Sequence, residues 1–114
     1  MSRLVRHSLV RDSRQTLAVD FDGVVHAYTK GWMGGEPYDV PVPGTEDALR
    51  QLDKKYKMVI FTARHDLNAV REWLRRYHLN QYFSEVTNRK PQAVAYLDDR
   101  AIHFTDWPSA LEVL

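Results

Sequence analysis

The stretch LAVDFDGVVH, residues 17–26, ends an apolar run with two carboxylates, Asp20 and Asp22, that are separated by one phenylalanine. Residues 16–21 are almost continuously apolar, which is typical of a strand buried on both faces. Aspartate is depleted from strands, and two carboxylates this close raise each other's pKa or require a cation. A solvated turn at Asp22-Gly23 is the alternative interpretation, because Asp-Gly is a common turn signal.

The rest of the chain alternates predicted strands with predicted helices. Further strands are predicted in KMVIFTA (57–63), YFSEVTN (82–88), AVAYL (93–97) and AIHF (101–104). Thr45, Asp66 and Asp106 are predicted to cap helices, the first two of which carry apolar residues at helical spacing. This alternation predicts an α/β domain with a mainly parallel sheet. Residues 23–43 are predicted to form a short flap hairpin with a glycine-rich tip.

The composition is typical of one globular domain, which is predicted to span residues 1–114. The absence of cysteine excludes disulfides and thiolate metal sites. No apolar run has the length to cross a bilayer and no secretory signal is visible, so we expect a cytoplasmic protein. Residues 1–14 hold four arginines, Arg3, Arg6, Arg11 and Arg14, and are predicted to form a loosely ordered arm or an extra edge strand.

Polar side chains follow several predicted strands at the point where each strand ends. Asp20 and Asp22 follow the first strand, Thr62 and Arg64 the second, and Asp98 and Asp99 the fourth, while Lys90 lies just before the fourth. Ligands of open parallel sheets bind beyond the carboxyl ends of the strands, so we expect these groups to meet at one rim. Oxygen ligands without histidine or cysteine favour Mg²⁺. An aspartate beside such an ion is able to attack phosphorus and form an acyl phosphate.

Four short segments resemble a known family in order and spacing. DFDGVV (20–25), VIFTAR (59–64), Lys90 and YLDD (96–99) resemble the four motifs of the haloacid dehalogenase-like (HAD) phosphohydrolases. This resemblance covers residues 16–106 and implies a three-layer Rossmann-like domain, although Val24 stands where many members carry threonine. Members of the family often carry a cap domain. The short gaps between the motifs in this chain imply a capless member with an open site.

The resemblance also implies a role for each matching residue. Asp20 would be the nucleophile that becomes phosphorylated, and Asp22 would be the general acid and then the base. Thr62 would bind the transferring phosphoryl group, and Lys90 would steady both that group and Asp20. Asp20, the backbone carbonyl of Asp22, Asp98 and Asp99 would hold Mg²⁺. Which of Asp98 and Asp99 contacts the metal directly is left open.

These observations predict a Mg²⁺-dependent phosphomonoesterase that acts through an aspartyl-phosphate. A catalytically silent phosphate- or metal-binding regulatory module on the same fold is the alternative, which the presence of both aspartates disfavours. A phosphorylated signalling receiver fits poorly, because no aspartate ends YFSEVTN. The expected partner is a phosphorylated small metabolite, nucleotide or nucleic-acid end, with no membrane involved. Trp32 near the flap tip is predicted to close over the substrate or over a second subunit in a homo-oligomer.

Overall fold

The structure is a computed structural model that describes residues 13–98 and 102–114, with the backbone alone described at 98, 102 and 103. Its strands are Gln15–Val19 (β1), Tyr56–Phe61 (β2), Phe83–Thr87 (β3), Ala95–Asp98 (β4) and Ile102–His103 (β5). Its helices are Thr45–Leu52 (α1), Leu67–Arg76 (α2) and Trp107–Val113 (α3), with a 3₁₀ turn at Asn80–Tyr82. The strands and helices therefore lie where the sequence predicts them, and the 3₁₀ turn is an addition.

The strands form one parallel sheet in the order β3-β2-β1-β4-β5. From β1 to β3 the strands add in one direction, and the chain then returns to add β4 on the other side of β1. This reversal creates a topological switch point at the end of β1, where ligands of open parallel sheets bind. The predicted α/β fold with a mainly parallel sheet is confirmed.

The apolar core lies on one face of the sheet. Residues paired in register share a face, and this face carries the buried side chains of Leu17, Val19, Met58, Ile60, Val86 and Leu97. These side chains join the buried residues of α1, α2 and α3 in one apolar cluster. Ala18 and Val59 are also buried but belong to the opposite face, outside that cluster.

The three described helices α1, α2 and α3 all pack on the same face of the sheet. Right-handed crossovers place α1 and α2 together, since both connect strands that add in the same direction. The connection from β3 to β4 would carry a helix on the other face. Residues 88–94 make that connection without forming a helix.

Two of the three predicted helix caps are confirmed. Asp66 and Asp106 cap α2 and α3 by accepting backbone N–H groups at 3.0 and 2.8 Å. Thr45 was predicted to cap α1, but Gly44 holds that position with a φ of 85°, in the left-handed region that glycine tolerates. The Thr45 hydroxyl instead donates to a carbonyl of the preceding loop at 2.6 Å and accepts the Trp107 indole N–H at 2.9 Å.

The predicted flap, residues 23–43, is a loop that an antiparallel pair of residues closes at its base. One antiparallel bridge pairs His26 with Pro41, and backbone hydrogen bonds of 2.9 Å flank that bridge on both sides. The described residues of the flap form no further antiparallel bridge. The bridge between His26 and Pro41 fixes the base of the loop directly beside the end of β1.

Some predictions fall outside this description. Residues 1–12, which make up most of the predicted arm, and Asp99 lie outside the described residues. Among the described helices, none combines the length and the apolar character needed to cross a bilayer. The single-domain organisation of the whole chain and its cytoplasmic location stay predictions.

Candidate active site

The turn after β1 presents the first pair of carboxylates. The carbonyl of Phe21 accepts backbone N–H groups from Val24, Val25 and His26 at 3.3, 3.0 and 2.9 Å. Gly23 donates its own N–H to the His26 carbonyl at 2.8 Å and has a φ of 83°, which a side chain would strain. The chain therefore reverses within five residues of the strand end and leaves the aspartates at the rim of the sheet.

Asp20 continues the ladder of β1 by one residue. Its N–H donates to the Leu97 carbonyl at 3.0 Å, and its Oδ1 accepts the Phe21 N–H at 2.7 Å. Val19 pairs with Leu97 in register, so the backbone of Asp98 lies directly beside that of Asp20. Neighbouring strands are about 4.8 Å apart, which brings these two predicted residues together at the backbone level.

Asp22 makes a two-pronged ion pair with an arginine that follows β2. Arg64 donates from Nε to Oδ2 at 2.8 Å and from Nη2 to Oδ1 at 3.0 Å. Burial raises the pKa of Asp22, but hydrogen bonds from His26 and Arg64, together with the arginine charge, outweigh burial and lower that pKa below its usual value. The Asp22 carboxylate is therefore ionised at neutral pH.

His26 fixes the same carboxylate from the other side. Its fully buried ring lies 5.2 Å from the ring of Phe21 in a stacked arrangement and 5.4 Å from that of Trp73 edge-on. The Asp39 N–H donates to Nε2 at 2.9 Å, which makes Nε2 an acceptor and places the imidazole proton on Nδ1. Nδ1 then donates to Asp22 Oδ1 at 2.8 Å, so a neutral histidine orients the carboxylate.

Thr62 lies at the rim immediately after β2. It is 2% exposed, and its N–H donates to the Thr87 carbonyl at 3.0 Å. The pairing of Val19 with Ile60 places Thr62 beside the turn that follows β1. Its Oγ1 accepts the Arg64 backbone N–H at 3.2 Å, which leaves the hydroxyl hydrogen to donate to a ligand.

Lys90 lies on the face of the sheet opposite the core. Its ammonium is 5.0 Å from the centre of the Tyr96 ring, a cation–π distance. Tyr96 pairs with Ala18, two residues before Asp20. The structure thus brings Asp20, Asp22 and Thr62 together at the rim and holds Lys90 against an aromatic ring just below it.

The predicted metal ligands are only partly within the described residues. Across residues 13–98 and 102–114, no group of three or more carboxylate, imidazole or thiol side chains is positioned to hold a metal ion. Arg64 and His26 already hydrogen-bond to the side-chain carboxylate of Asp22. Of the Asp22 oxygens, the backbone carbonyl is therefore the one suited to bind a metal ion. The backbone hydrogen bonds of the turn end on other carbonyls. Asp99 and the side chain of Asp98 are not described, and the Mg²⁺ site stays a prediction.

Sequence reasoning missed the two partners of Asp22. It noted Arg64 at the end of β2 without giving it a role, and it gave none to His26. A signal for His26 exists, because a histidine four residues after Asp22 across a tight turn lies close enough to share a hydrogen bond. Arg64 has a weaker signal, since an arginine just beyond a strand is as often solvated.

Comparison with known proteins gives one clear structural match. A conserved protein from Bacteroides thetaiotaomicron superposes with a TM-score of 0.65 and 24% identity over 89% of each chain. This likeness shows the fold alone. A haloacid dehalogenase-like hydrolase from Streptococcus pneumoniae also superposes, with a TM-score of 0.48 and 13% identity over 71% of this chain and 64% of that one. No family model and no curated protein matches the sequence.

Proposed function

We propose that this protein hydrolyses phosphomonoesters with Asp20 as the nucleophile and Mg²⁺ as the cofactor. The observation that carries the proposal is the rim itself. The Asp20 carboxylate, the buried Thr62 hydroxyl and the Asp22 carboxylate lie at the ends of the adjacent strands β1 and β2, at the switch point of the sheet. Phosphoryl transfer needs a carboxylate that attacks phosphorus and a hydrogen-bond donor that stabilises the phosphoryl oxygens, and these side chains supply both.

The proposed reaction has two steps that balance in protons. An oxygen of Asp20 attacks phosphorus, the bond from phosphorus to the ester oxygen breaks, and the leaving group takes a proton from Asp22. Water then attacks the aspartyl-phosphate, Asp22 takes its proton, and inorganic phosphate leaves with Asp20 regenerated. Thr62 donates a hydrogen bond to the phosphoryl oxygens in both steps.

The donor set fits a hard cation. Asp20, the Asp22 carbonyl, Asp98 and Asp99 would hold Mg²⁺, which when bound neutralises charge between the phosphate and the carboxylates. The flap, residues 23–43, lies at the chain position where members of the family that this sequence resembles often carry a cap domain. We include in the proposal that this chain is capless and that its site admits substrates of varied size.

The ion pair with Arg64 affects the two proposed roles of Asp22 differently. An ionised carboxylate is the form that accepts a proton from water, so the pair supports the base role of the second step. The acid role needs a protonated Asp22, which the Arg64 ion pair and the lowered pKa of Asp22 oppose. Substrates whose leaving group departs without a proton avoid this requirement, so aryl phosphates are expected to react faster than alkyl phosphates.

The experiment that tests the proposal compares Asp20→Asn with the parent on p-nitrophenyl phosphate, with Mg²⁺ and with EDTA. We expect Mg²⁺-dependent turnover in the parent and none in the variant, because an amide does not replace the attacking carboxylate. Asp47→Asn, which neutralises an exposed aspartate of α1, is the matched control and should keep the parent's rate. Turnover near the parent's rate in Asp20→Asn would remove Asp20 as the nucleophile.

One observation favours the silent module as the second candidate. Arg64 and His26 both hold the Asp22 carboxylate in place, which suits a structural turn as well as a catalyst. A silent module predicts that Mg²⁺ or phosphate raises the melting temperature while no phosphoester is hydrolysed. The same kinetic assay, with a melting curve beside it, separates the two functions.

A further inference from the structure

Trp32 is exposed in a way that the other tryptophans are not. Its side chain is 63% exposed, whereas Trp73 and Trp107 are 1% and 2% exposed. Burying an indole removes a large apolar surface from water, and Trp32 forgoes most of that stabilisation. An exposed indole beside a candidate active site therefore indicates a surface that binds a ligand. Trp32 lies in the flap, next to Arg64.

The indole lies against a charged group whose own position is fixed. The Arg64 guanidinium lies 5.0 Å from the centre of the Trp32 ring, and Arg64 itself is only 8% exposed. Two hydrogen bonds to Asp22 and one of 2.8 Å to the Gly35 carbonyl fix that guanidinium in place. One face of the indole is therefore backed by a cation whose position is determined.

The loop around Trp32 is also anchored. The Tyr38 hydroxyl accepts the Lys30 N–H at 2.8 Å and donates to the Gly31 carbonyl at 2.9 Å. These bonds restrain the loop on the N-terminal side of Trp32, and the Gly35 carbonyl is bonded on the other side. Because the backbone on both sides of Trp32 is hydrogen-bonded, a ligand that stacks on the indole orders little of the loop.

The position of the ring relative to Asp22 indicates what the ligand is. Atoms across an ion pair lie within about 4 Å, so the ring centre lies within roughly 9 Å of the Asp22 carboxylate. In the proposed reaction Asp22 serves the ester oxygen, so the group bonded to that oxygen extends from Asp22 toward Trp32. The Arg64 guanidinium occupies the space between Asp22 and the inner face of the indole, so a flat ring connected to the phosphate by a short spacer stacks on the opposite, outer face. Aromatic side chains stack such rings without selecting among bases.

We propose that Trp32, backed by Arg64, stacks the base of a nucleoside monophosphate whose phosphate is bound at Asp20. This inference rests on the proposed function and names the substrate class of that same site. A second copy of the chain is the competing occupant of the exposed indole, and the experiment below distinguishes it.

The kinetic arm measures kcat/KM for AMP and for glycerol phosphate with Mg²⁺. In Trp32→Ala the ratio of the two values should fall by about 5-fold to 150-fold, the equivalent of a stacking interaction of about 1–3 kcal/mol. Trp32→Phe should restore most of the ratio, because a phenyl ring also stacks. Met33→Ala is the matched control, since Met33 is a neighbour with 61% exposure, and it should keep the parent's ratio.

The binding arm does not depend on turnover. Trp73 and Trp107 are buried, so quenching of tryptophan fluorescence by AMP in Asp20→Asn reports on Trp32. We expect AMP to quench and glycerol phosphate not to, with the quench lost in Asp20→Asn/Trp32→Phe. If AMP quenches the fluorescence and the parent protein hydrolyses no phosphoester, the stacking site is supported and the phosphatase is overturned.

Two outcomes overturn the stacking site and leave the phosphatase in place. One is hydrolysis with the same AMP to glycerol phosphate ratio in Trp32→Ala and the parent. The other is a sedimentation profile in which Trp32→Ala converts a dimer to a monomer, since a second copy would then cover the indole.

Discussion

Replacing Arg64 with glutamine should destabilise the fold, because it breaks the ion pair between Arg64 and Asp22. The substitution removes both hydrogen bonds to Asp22 and the one to the Gly35 carbonyl, and it leaves a carboxylate without its counter-charge. The side chains of Arg64 and Asp22 are 7% and 20% exposed, so water replaces the lost partner only in part. The expected effect is a clear loss of stability rather than the small change of a surface pair.

The magnitude follows from these exposures. Breaking a fully buried pair from one side costs about 3–5 kcal/mol. Asp22 keeps the hydrogen bond from His26 and one-fifth of its surface, so we expect about 2–3 kcal/mol for Arg64→Gln. Removing the stranded charge as well should recover part of this loss. In Asp22→Asn/Arg64→Gln the total loss should fall short of the sum of the single losses by about 1–2 kcal/mol.

The assay is urea unfolding of the parent, both single variants and the double variant at neutral pH. Arg50→Gln is the matched control, because Arg50 is 57% exposed and pairs with Asp47 on the surface of α1. That control should change the free energy of unfolding far less than Arg64→Gln. A loss below about 0.5 kcal/mol in Arg64→Gln, or strict additivity in the double variant, would refute the reasoning.

Three further predictions use other groups. The Thr29 side-chain and backbone hydrogen bonds, with that of Val40, lower the pKa of Asp39 to about 2. This stabilisation is complete above the usual value near 3.8 and is lost as pH falls toward 2. In Thr29→Val the Asp39 pKa should rise toward 3.8, and an unmoved pKa in a carboxyl NMR titration would contradict this assignment. Asp66→Ala should cost about 0.5–2 kcal/mol in urea unfolding through loss of the α2 cap, with Asp66→Asn nearly neutral, and equal losses in both would argue against the cap. Mg²⁺ in excess over EDTA should raise the melting temperature by mass action, less so in Asp20→Asn, and a melting curve insensitive to Mg²⁺ would count against the metal site.

Local sequence signals predicted the elements that depend on local physics. The apolar run of β1 and the caps Asp66 and Asp106 are features of a few adjacent residues, and the structure has each of them. Thr45 shows where such signals fail. Its hydroxyl bonds Trp107, which is 62 residues away, and no local pattern reveals that contact. The cap of α1 then falls to Gly44, which needs no side chain.

The face on which the described helices lie depends on the strand order, which local sequence signals do not reveal. Alternating strands and helices predict a sheet with helices on both faces only when the crossover that reverses direction carries a helix. Here the chain between β3 and β4 is short, and residues 88–94 run without one. The length of that segment was visible in the sequence, but its place at the reversal was not, because strand order is set by long-range pairing.

The direction of the Asp22 pKa shift could not be predicted from the sequence, because the fold determines which residues contact the Asp22 carboxylate. The resemblance predicts that Asp22 donates a proton, yet Arg64, 42 residues later, reaches it only because β2 pairs directly with β1. The Arg64 side chain is 7% exposed, so its guanidinium must satisfy its donors internally, and the Asp22 carboxylate with the Gly35 carbonyl meets that need. The same contacts lower the Asp22 pKa and so oppose protonation of the leaving group. Acid catalysis at this site therefore works against the Arg64 pair. Because Arg64 also lies against Trp32 and donates to the Gly35 carbonyl, a change in that pair would reach the flap.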